Sequence, residues 1–146
     1  MPIPDFTGTG DLPAGVHSAT LSETVAHFGT GSDRRKSLAL RLERVYHLAA
    51  QTGHLARFVV FGSFVTDRPE PNDVDVFMIL DDNFDVGPLT GQARLLFDHA
   101  TAQDRFGCSV FWVRRLAAFG GEEAAIEDWQ IKRDGTQRGI LEITVE

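Results

Sequence analysis

Apolar segments of strand length alternate with helical segments, which predicts an α/β (α+β) protein with a small mixed sheet flanked by helices. Four segments are short, rich in valine, isoleucine or phenylalanine, and bounded mostly by turn-forming residues: 58–61, 73–80, 108–113 and 139–145. Residues 33–52 instead repeat their apolar side chains at helical spacing. Because the chain has 146 residues, we expect residues 1–146 to form a single domain around one core.

The charge of the chain limits the classes of partner that it is expected to bind. The formal net charge is −7, which argues against extended nucleic-acid binding, because a negative surface repels a phosphate backbone. Positive residues nevertheless form three local clusters, which we interpret as solvated surface: Arg34-Arg35-Lys36, Arg114-Arg115, and Lys132-Arg133 with Arg138.

The sequence carries no signal for a membrane or for secretion. It has no apolar run of about 20 residues, which a membrane-spanning helix requires, and its first ten residues do not have the form of a signal peptide. The single cysteine, Cys108, lies in an apolar segment and is interpreted as a packing residue. We therefore expect a cytoplasmic protein.

The first 19 residues are expected to be an ordered lead-in, because Leu12, Val16 and Ala19 supply apolar side chains to bury. His17 is interpreted as a packing or capping residue, with an approach to the functional site as the alternative. Thr20 then begins a helical region that extends through residue 53.

Two helices are predicted within residues 20–53. Thr20 and Glu23 have the spacing of a capping box, which favours a helix over Leu21–Phe28. Ser32 or Asp33 caps a second helix that runs to about Thr52, and we expect it to be scaffold packed on the sheet.

The catalytic-type core is expected over residues 57–146. After the two central strands, the sequence predicts a turn-rich loop, a helix over residues 92–104, a strand over 108–113, a short helix over 122–128 and a last strand over 139–145. Residues 129–133 are predicted to be either a strand or the end of the short helix.

Two carboxylates at the start of the second central strand predict a metal site. Side chains alternate along a strand, so Asp73 and Asp75 point to the same face. Like charges repel, and burying them without compensation is costly. A divalent cation with hard oxygen ligands, Mg²⁺ or Mn²⁺, would compensate them.

A glycine-serine pair directly after the first central strand predicts a phosphate site. Gly62 allows a ligand to approach the backbone closely, and Ser63 adds a hydroxyl group beside backbone amides. With the acid pair on the next strand, the segment indicates a site for a metal–nucleoside triphosphate, such as ATP.

This segment resembles the signature of the polymerase-β nucleotidyltransferase superfamily. Gly62-Ser63, nine residues and then Asp73-Val74-Asp75 match its Gly-Ser and Asp-x-Asp motifs. The resemblance implies a polymerase-β-like core in which Gly62 and Ser63 hold the triphosphate. It also implies that Asp73 and Asp75 are the catalytic residues and bind magnesium.

The ends of the chain carry a second resemblance. Leu12-Pro13-Ala14-Gly15-Val16-His17 and Arg138-Gly139-Ile140 are similar to segments of small bacterial-type nucleotidyltransferase-like proteins. With the central motifs, this resemblance covers most of the chain.

The sequence departs from the superfamily at its third carboxylate. That acid usually lies on the strand beside the Asp-x-Asp strand, where this chain places Ser109. Asp104 and Glu142 are the candidate substitutes, and Arg57, Arg68 and Arg114 are candidates for additional phosphate contacts.

Two functions from different classes remain open at this point. The first is a nucleotidyltransferase that moves a nucleoside monophosphate, AMP in the expected case, onto a protein, RNA or small-molecule acceptor. The second is a degenerate, antitoxin-like binding protein without catalysis. In both cases the small size predicts a protein partner or a homo-oligomer.

Overall fold

The computed structural model describes residues 3–118 and 120–144. The strands are β1 (Val16–Thr20), β2 (Leu55–Phe61), β3 (Val74–Leu80), β4 (Cys108–Arg114) and β5 (Ile140–Thr144). The helices are α1 (Leu21–Phe28), α2 (Asp33–Gln51), α3 (Gly91–Leu96), α4 (His99–Phe106) and α5 (Glu122–Glu127). Short 3₁₀ turns cover Ser63–Val65, Arg115–Ala117 and Asp128–Gln130.

The five strands form one mixed sheet in the order β1-β5-β2-β3-β4. The central strand β2 is antiparallel to both of its neighbours, β3 and β5. The outer pairs, β1 with β5 and β3 with β4, are parallel. The prediction of an α/β chain with a small mixed sheet is therefore confirmed, and so is the prediction that residues 108–113 lie beside the strand of Asp75.

The lead-in contains a strand that the sequence analysis did not predict. Residues 16–20 form the edge strand β1, which pairs with β5 from Val16 opposite Ile140 to Thr20 opposite Thr144. The predicted last strand is shorter, because β5 begins at Ile140 rather than at Gly139. The predicted end of that strand, Val145, lies outside the described residues.

The prediction of a single helix over residues 92–104 is wrong, because the chain forms two helices there. α3 ends before Phe97, and Asp98 has an extended backbone that starts α4. The Phe97 ring packs against Phe84 and Trp112, with centroids 4.7 and 5.5 Å away. Burial of this ring holds the chain at the break between the two helices.

The first helix begins as predicted. The Thr20 hydroxyl group accepts a hydrogen bond from the Glu23 amide at 3.1 Å, and the Glu23 carboxylate accepts one from the Thr20 amide at 2.9 Å. This capping box supplies partners for donors that would be unsatisfied at a helix start.

The sheet separates two hydrophobic clusters. The larger one lies between the helices α1 to α4 and the face that carries Val60, Val76 and Val110. The smaller one covers the opposite face and joins Val59 and Phe77 to Ile126 of α5. The acid pair points to this second, less covered face, since Asp75 and Phe77 are two residues apart on β3.

Among residues 3–118 and 120–144, none of the helices combines the length and the apolar character needed to cross a bilayer.

Candidate functional site

The two acids lie at one end of β3, next to Ser109. Asp75 pairs in register with Phe61 on β2 and with Ser109 on β4. The Ser109 hydroxyl group donates a hydrogen bond of 2.8 Å to Oδ2 of Asp73, and Oδ1 of Asp73 accepts from the Val74 amide at 2.7 Å. The serine thus occupies the position expected for a third acid and binds the acid pair.

Burial of the Asp75 carboxyl group raises its pKa to about 6, and the charge of Asp73 acts in the same direction. The nearby Ser109 hydroxyl group and the charges of Arg138 and Arg133 oppose this shift. The Asp75 carboxylate is therefore under-compensated by the protein itself, which is the electrostatic condition that a cation relieves.

Gly62 brings the backbone against this carboxylate. Its φ of +83° is a conformation that side chains disfavour, and a Cβ atom at this position would collide with the Asp75 carboxylate. Both observations require glycine here. Ser63 follows and begins the 3₁₀ turn Ser63–Val65.

The loop after Ser63 is held by Arg35 of α2. This guanidinium group is buried, with 6% of the residue exposed, and it donates to the carbonyl groups of Phe28, Phe64, Thr66 and Arg68 at 2.5 to 3.1 Å. Burial lowers the pKa of Arg35. The interpretation of Arg35 as solvated surface is wrong, because the loop carbonyl groups need a buried donor.

Arg34 and Ser32 hold the rest of the connector to β3. Arg34 donates to the carbonyl groups of Pro71 and Asn72 at 2.8 and 3.0 Å, and the Ser32 hydroxyl group donates to that of Pro69 at 2.8 Å. The start of α2 therefore fixes the connector between Ser63 and the acid pair.

A positively charged cavity of about 410 Å³ opens beside the acids, and we call it the cationic cavity. Its wall combines Asp75 and Ser63 with four cationic side chains and one further acid: Arg68, Lys132, Arg133, Arg138 and Asp134. Four positive groups against two carboxylates leave the wall with a positive net charge, which suits a metal-bound polyphosphate.

The cluster of Lys132, Arg133 and Arg138 was interpreted from sequence as solvated surface, and the structure instead places it at the cavity. A turn at residues 132–136 holds the cluster, since the Lys132 amide donates to the Thr136 carbonyl group at 2.8 Å. Asp11 forms ion pairs with two of these cations, 3.6 Å from the Lys132 ammonium group and 3.8 Å from the Arg138 guanidinium group, and leaves Arg133 unpaired by it.

The two segments that carry the second resemblance, residues 12–17 and 138–140, are hydrogen-bonded to each other. The Gly139 amide donates to the Leu12 carbonyl group at 2.9 Å, and the Ile140 amide donates to the Gly15 carbonyl group at 3.0 Å. A Cβ atom at position 139 would collide with the carbonyl oxygen of Pro13. This contact positions Arg138, and the paired motifs were the sequence signal that could have located the cationic cluster.

A second cavity of about 480 Å³ adjoins the first, and we call it the aromatic cavity. It contains Asp75 and Ser109, and the rings of Phe61, Phe111, Trp129 and His99 line it together with Gln103, Ile131, Lys132, Arg133 and Arg138. The Trp129 ring lies 4.4 Å from Phe61 and 5.1 Å from Phe111, and the His99 ring lies 4.7 Å from Phe111.

Two residues proposed from sequence as site residues bind each other instead. Arg57 donates two hydrogen bonds of 2.7 Å to the carboxylate of Glu142 and a third bond to Glu123. Glu142 thereby raises the pKa of the Arg57 guanidinium group. Neither Arg57 as a phosphate contact nor Glu142 as a third acid fits this arrangement, because each group is neutralised by the other.

Asp104 and Arg114 also lie away from the acid pair. Asp104 lines a separate cavity with Arg41, Arg44 and Arg105. Arg114 is at the far end of β4, opposite Leu80, and donates to the Phe84 carbonyl group at 2.7 Å. Of the three arginines suggested as phosphate contacts, Arg68 lies beside Ser63 and Asp75.

For His17, the sequence left open a packing or capping role and an approach to the site, and its ring makes a contact within the lead-in. Its Nε2 atom lies 2.7 Å from the carbonyl oxygen of Pro13. A larger cleft of about 560 Å³, between α1 and α2, is mainly apolar and contains neither of the paired acids.

The acid pair suits a metal ion that is bound together with a nucleotide. In the described parts of the chain, no group of three or more histidine, cysteine or acidic residues is arranged to hold a metal ion. Asp73 and Asp75 nevertheless supply hard oxygen ligands, and Mg²⁺ characteristically uses one or two carboxylates, water and substrate phosphates. The residues present therefore fit Mg²⁺ that arrives with a triphosphate.

One family model matches the chain. It covers residues 4–144 and describes a family of unknown function, DUF6932. No curated protein and no solved structure matches the chain.

Proposed function

The chain belongs to DUF6932, a family of unknown function, and we propose that it is a magnesium-dependent nucleotidyltransferase with a polymerase-β-like core. Its substrates are a nucleoside triphosphate, ATP in the first instance, and an acceptor with a free hydroxyl group on a protein, an RNA or a small molecule. The product is the acceptor carrying a nucleoside monophosphate, and pyrophosphate leaves.

The observation that carries this proposal is the position of Asp75, one of the two paired acids, in the wall of the cationic cavity. Asp75 lines that cavity with Ser63 and the cations Arg68, Lys132 and Arg138, and Gly62 lets the backbone approach the carboxylate. The negative charge of a triphosphate would be neutralised by these cations. Its phosphate oxygens would serve as ligands to a metal ion held by the acids.

Each part of the site has a task in the reaction. The acceptor hydroxyl oxygen attacks the α-phosphorus and releases its proton to solvent, and the bond from this phosphorus to the bridging oxygen of pyrophosphate breaks. Asp73 and Asp75 would hold Mg²⁺, which supplies charge stabilisation at the transferred phosphoryl group. Arg68, Lys132 and Arg133 bind the pyrophosphate part, and Ser63 hydrogen-bonds to it.

A second candidate function is nucleotide binding without transfer, by a degenerate member of the same fold that acts through a protein partner. The observation in its favour is Ser109, which carries no charge and whose hydroxyl group binds Asp73. With two acids rather than three, the site has a weaker means of activating the acceptor.

Calorimetric titration with ATP, GTP, CTP and UTP, each with and without Mg²⁺, tests the site common to both functions. We expect binding that requires Mg²⁺ in the parent and is reduced at least about 10-fold in Asp73→Asn, because one ligand charge is lost.

Asp104→Asn is the matched control, since this exposed acid lies in another cavity, and it should bind like the parent. Equal affinities of Asp73→Asn and the parent for the magnesium-bound nucleotide would contradict the assignment of Asp73 to the metal site. Magnesium-dependent binding without transfer to any cellular fraction would favour the second function.

A further inference from the structure

We propose that the aromatic cavity holds the base of the bound nucleotide, and that it prefers a purine. This inference rests on the proposed function, because it assigns the second half of the same ligand. The phosphates lie in the cationic cavity and the base lies against the aromatic side chains that line the aromatic cavity.

The first argument is that the two cavities share a wall. Both are lined by Asp75, Lys132, Arg133 and Arg138. A ligand that carries several negative charges at one end and an uncharged ring at the other can contact both cavities at once. A nucleoside triphosphate has this shape, and its α-phosphate and ribose would pass Asp75, where the cavities meet.

The second argument is the chemistry of the walls. Phe61, Phe111, Trp129 and His99 surround the space on one side of Asp75, and their packing against one another holds the rings in place. Aromatic side chains bind nucleobases through stacking, which tolerates any base but increases with ring area. A purine offers the larger area.

The third argument concerns the polar groups at the rim. Nδ1 of His99 lies 3.0 Å from the carbonyl oxygen of Val110, which can only accept a hydrogen bond, so Nδ1 is the donor. Nε2 of the neutral ring is therefore left as an acceptor. Gln103, on the same wall, offers both a donor and an acceptor to the edge of a base.

An acceptor substrate is the competing occupant, because Ser109 belongs to the same cavity. The cations argue for the nucleotide. Lys132, Arg133 and Arg138 extend along both cavities, and their charge favours a ligand whose ring is joined to phosphates. Binding experiments with ligands that have or lack a base distinguish a nucleotide base from an acceptor substrate as the occupant.

The experiment compares inorganic tripolyphosphate, ATP and CTP by calorimetry in the presence of Mg²⁺. We expect ATP to bind roughly 5- to 150-fold more tightly than tripolyphosphate, which is the range that stacking of one base provides. CTP should lie between them. In Trp129→Leu and His99→Leu the affinity for ATP should fall towards the affinity for tripolyphosphate. The affinity for tripolyphosphate should be the same in both variants as in the parent.

Trp129 packs against the smaller hydrophobic cluster, so Trp129→Leu could lose binding because it misfolds. His99 is exposed, and His99→Leu is therefore expected to fold like the parent. A spectroscopic readout uses Trp112→Phe, which leaves Trp129 as the single tryptophan. Its fluorescence should change with ATP and not with tripolyphosphate. Trp112 itself is bonded to the Phe97 carbonyl group on the opposite side of the sheet.

Each outcome decides the inference. Equal affinities for ATP and tripolyphosphate, with no change at Trp129, would overturn the base site and leave the triphosphate site intact. A preference for ATP that survives both substitutions would place the base elsewhere. Binding of neither ligand by folded protein would overturn this inference and the proposed function together.

Discussion

At the scale of single residues, the site shows a conflict between stability and chemistry. Asp75 lies in the sheet with its carboxylate against the backbone of Gly62 and near a second acid, so its ionised form is disfavoured in the folded protein. An arrangement of this kind is retained at functional sites although it costs stability. The same carboxylate is the one that both cavities share.

Asp75→Asn is therefore expected to stabilise the protein at neutral pH. The pKa of Asp75 is raised in the folded state to about 6, so the folded protein holds more protons than the unfolded chain between about pH 4 and 6. The parent loses stability as the pH rises through this range. We expect the variant to exceed the parent by about 1–2 kcal/mol at pH 7, after allowance for the partial exposure of Asp75.

Urea unfolding at pH 4 and pH 7 without Mg²⁺ measures this difference. At pH 4 the two proteins should be nearly equal, and Asp104→Asn should follow the parent at both values. A variant that is less stable than the parent at pH 7 would show that the Asp75 carboxylate contributes favourable contacts that outweigh its burial.

At the scale of elements, the first turn of α2 holds the loop that follows Ser63. Four backbone carbonyl groups converge on the Arg35 guanidinium group, and three of them belong to the segment after Ser63. Removal of this side chain leaves buried acceptors without donors, which is among the more expensive changes in a folded protein.

We expect Arg35→Leu to lower the free energy of unfolding by about 3 kcal/mol or more and to weaken magnesium-dependent ATP binding, because the loop of Ser63 loses its support. Arg35→Lys should recover part of the stability, since an ammonium group has three donors. Chemical denaturation and calorimetry measure the two effects.

The neighbouring exposed Lys36 provides the control, and Lys36→Ala should change stability by about 0.5 kcal/mol or less. Retention of full ATP affinity in folded Arg35→Leu would mean that the loop keeps its conformation without the arginine.

The elements also show how far sequence reasoning reaches. The Gly62-Ser63 turn and the acid pair could be placed from local signals, because strand alternation and turn chemistry are short-range, whereas Ser109 was identified as their neighbour from the family resemblance. The break at Phe97 could not be predicted, because it depends on burial of that ring against Phe84 and Trp112. Tertiary packing there overrides a continuous helical pattern.

At the scale of the whole molecule, the site depends on contacts between the two ends of the chain. Lys132 and Arg138 reach the cationic cavity because the segment before β5 is bonded to residues 12–15 and lies near Asp11. No local pattern in residues 132–138 reports such a contact, so the cluster resembled ordinary solvated surface. The matching motifs at the two ends were visible, but their contact was not.

Gly139→Ala tests this dependence. The added methyl group would collide with the Pro13 carbonyl oxygen and the Leu12 side chain, and we expect a loss of about 1–3 kcal/mol of stability, as for other overpacked sites. Because Arg138 precedes this contact, tripolyphosphate binding should also weaken. Thermal unfolding and calorimetry measure both.

The control is Gly8→Ala, where an added Cβ atom meets nothing within 4 Å, and it should leave both quantities unchanged. If Gly139→Ala weakens folding but tripolyphosphate binding is preserved, the contact between the chain ends serves the sheet alone.

The parallel pairing of β1 with β5 has a consequence for how the protein is made. β1 leaves the ribosome before the other four strands, yet within residues 3–118 and 120–144 the strand that it pairs with is β5, the fifth of these strands in chain order. Contacts between such distant segments form late. Lys132, Arg133 and Arg138 would thus join the site only after β5 has left the exit tunnel, so a nascent chain that stops before residue 132 carries the paired carboxylates without these three charges.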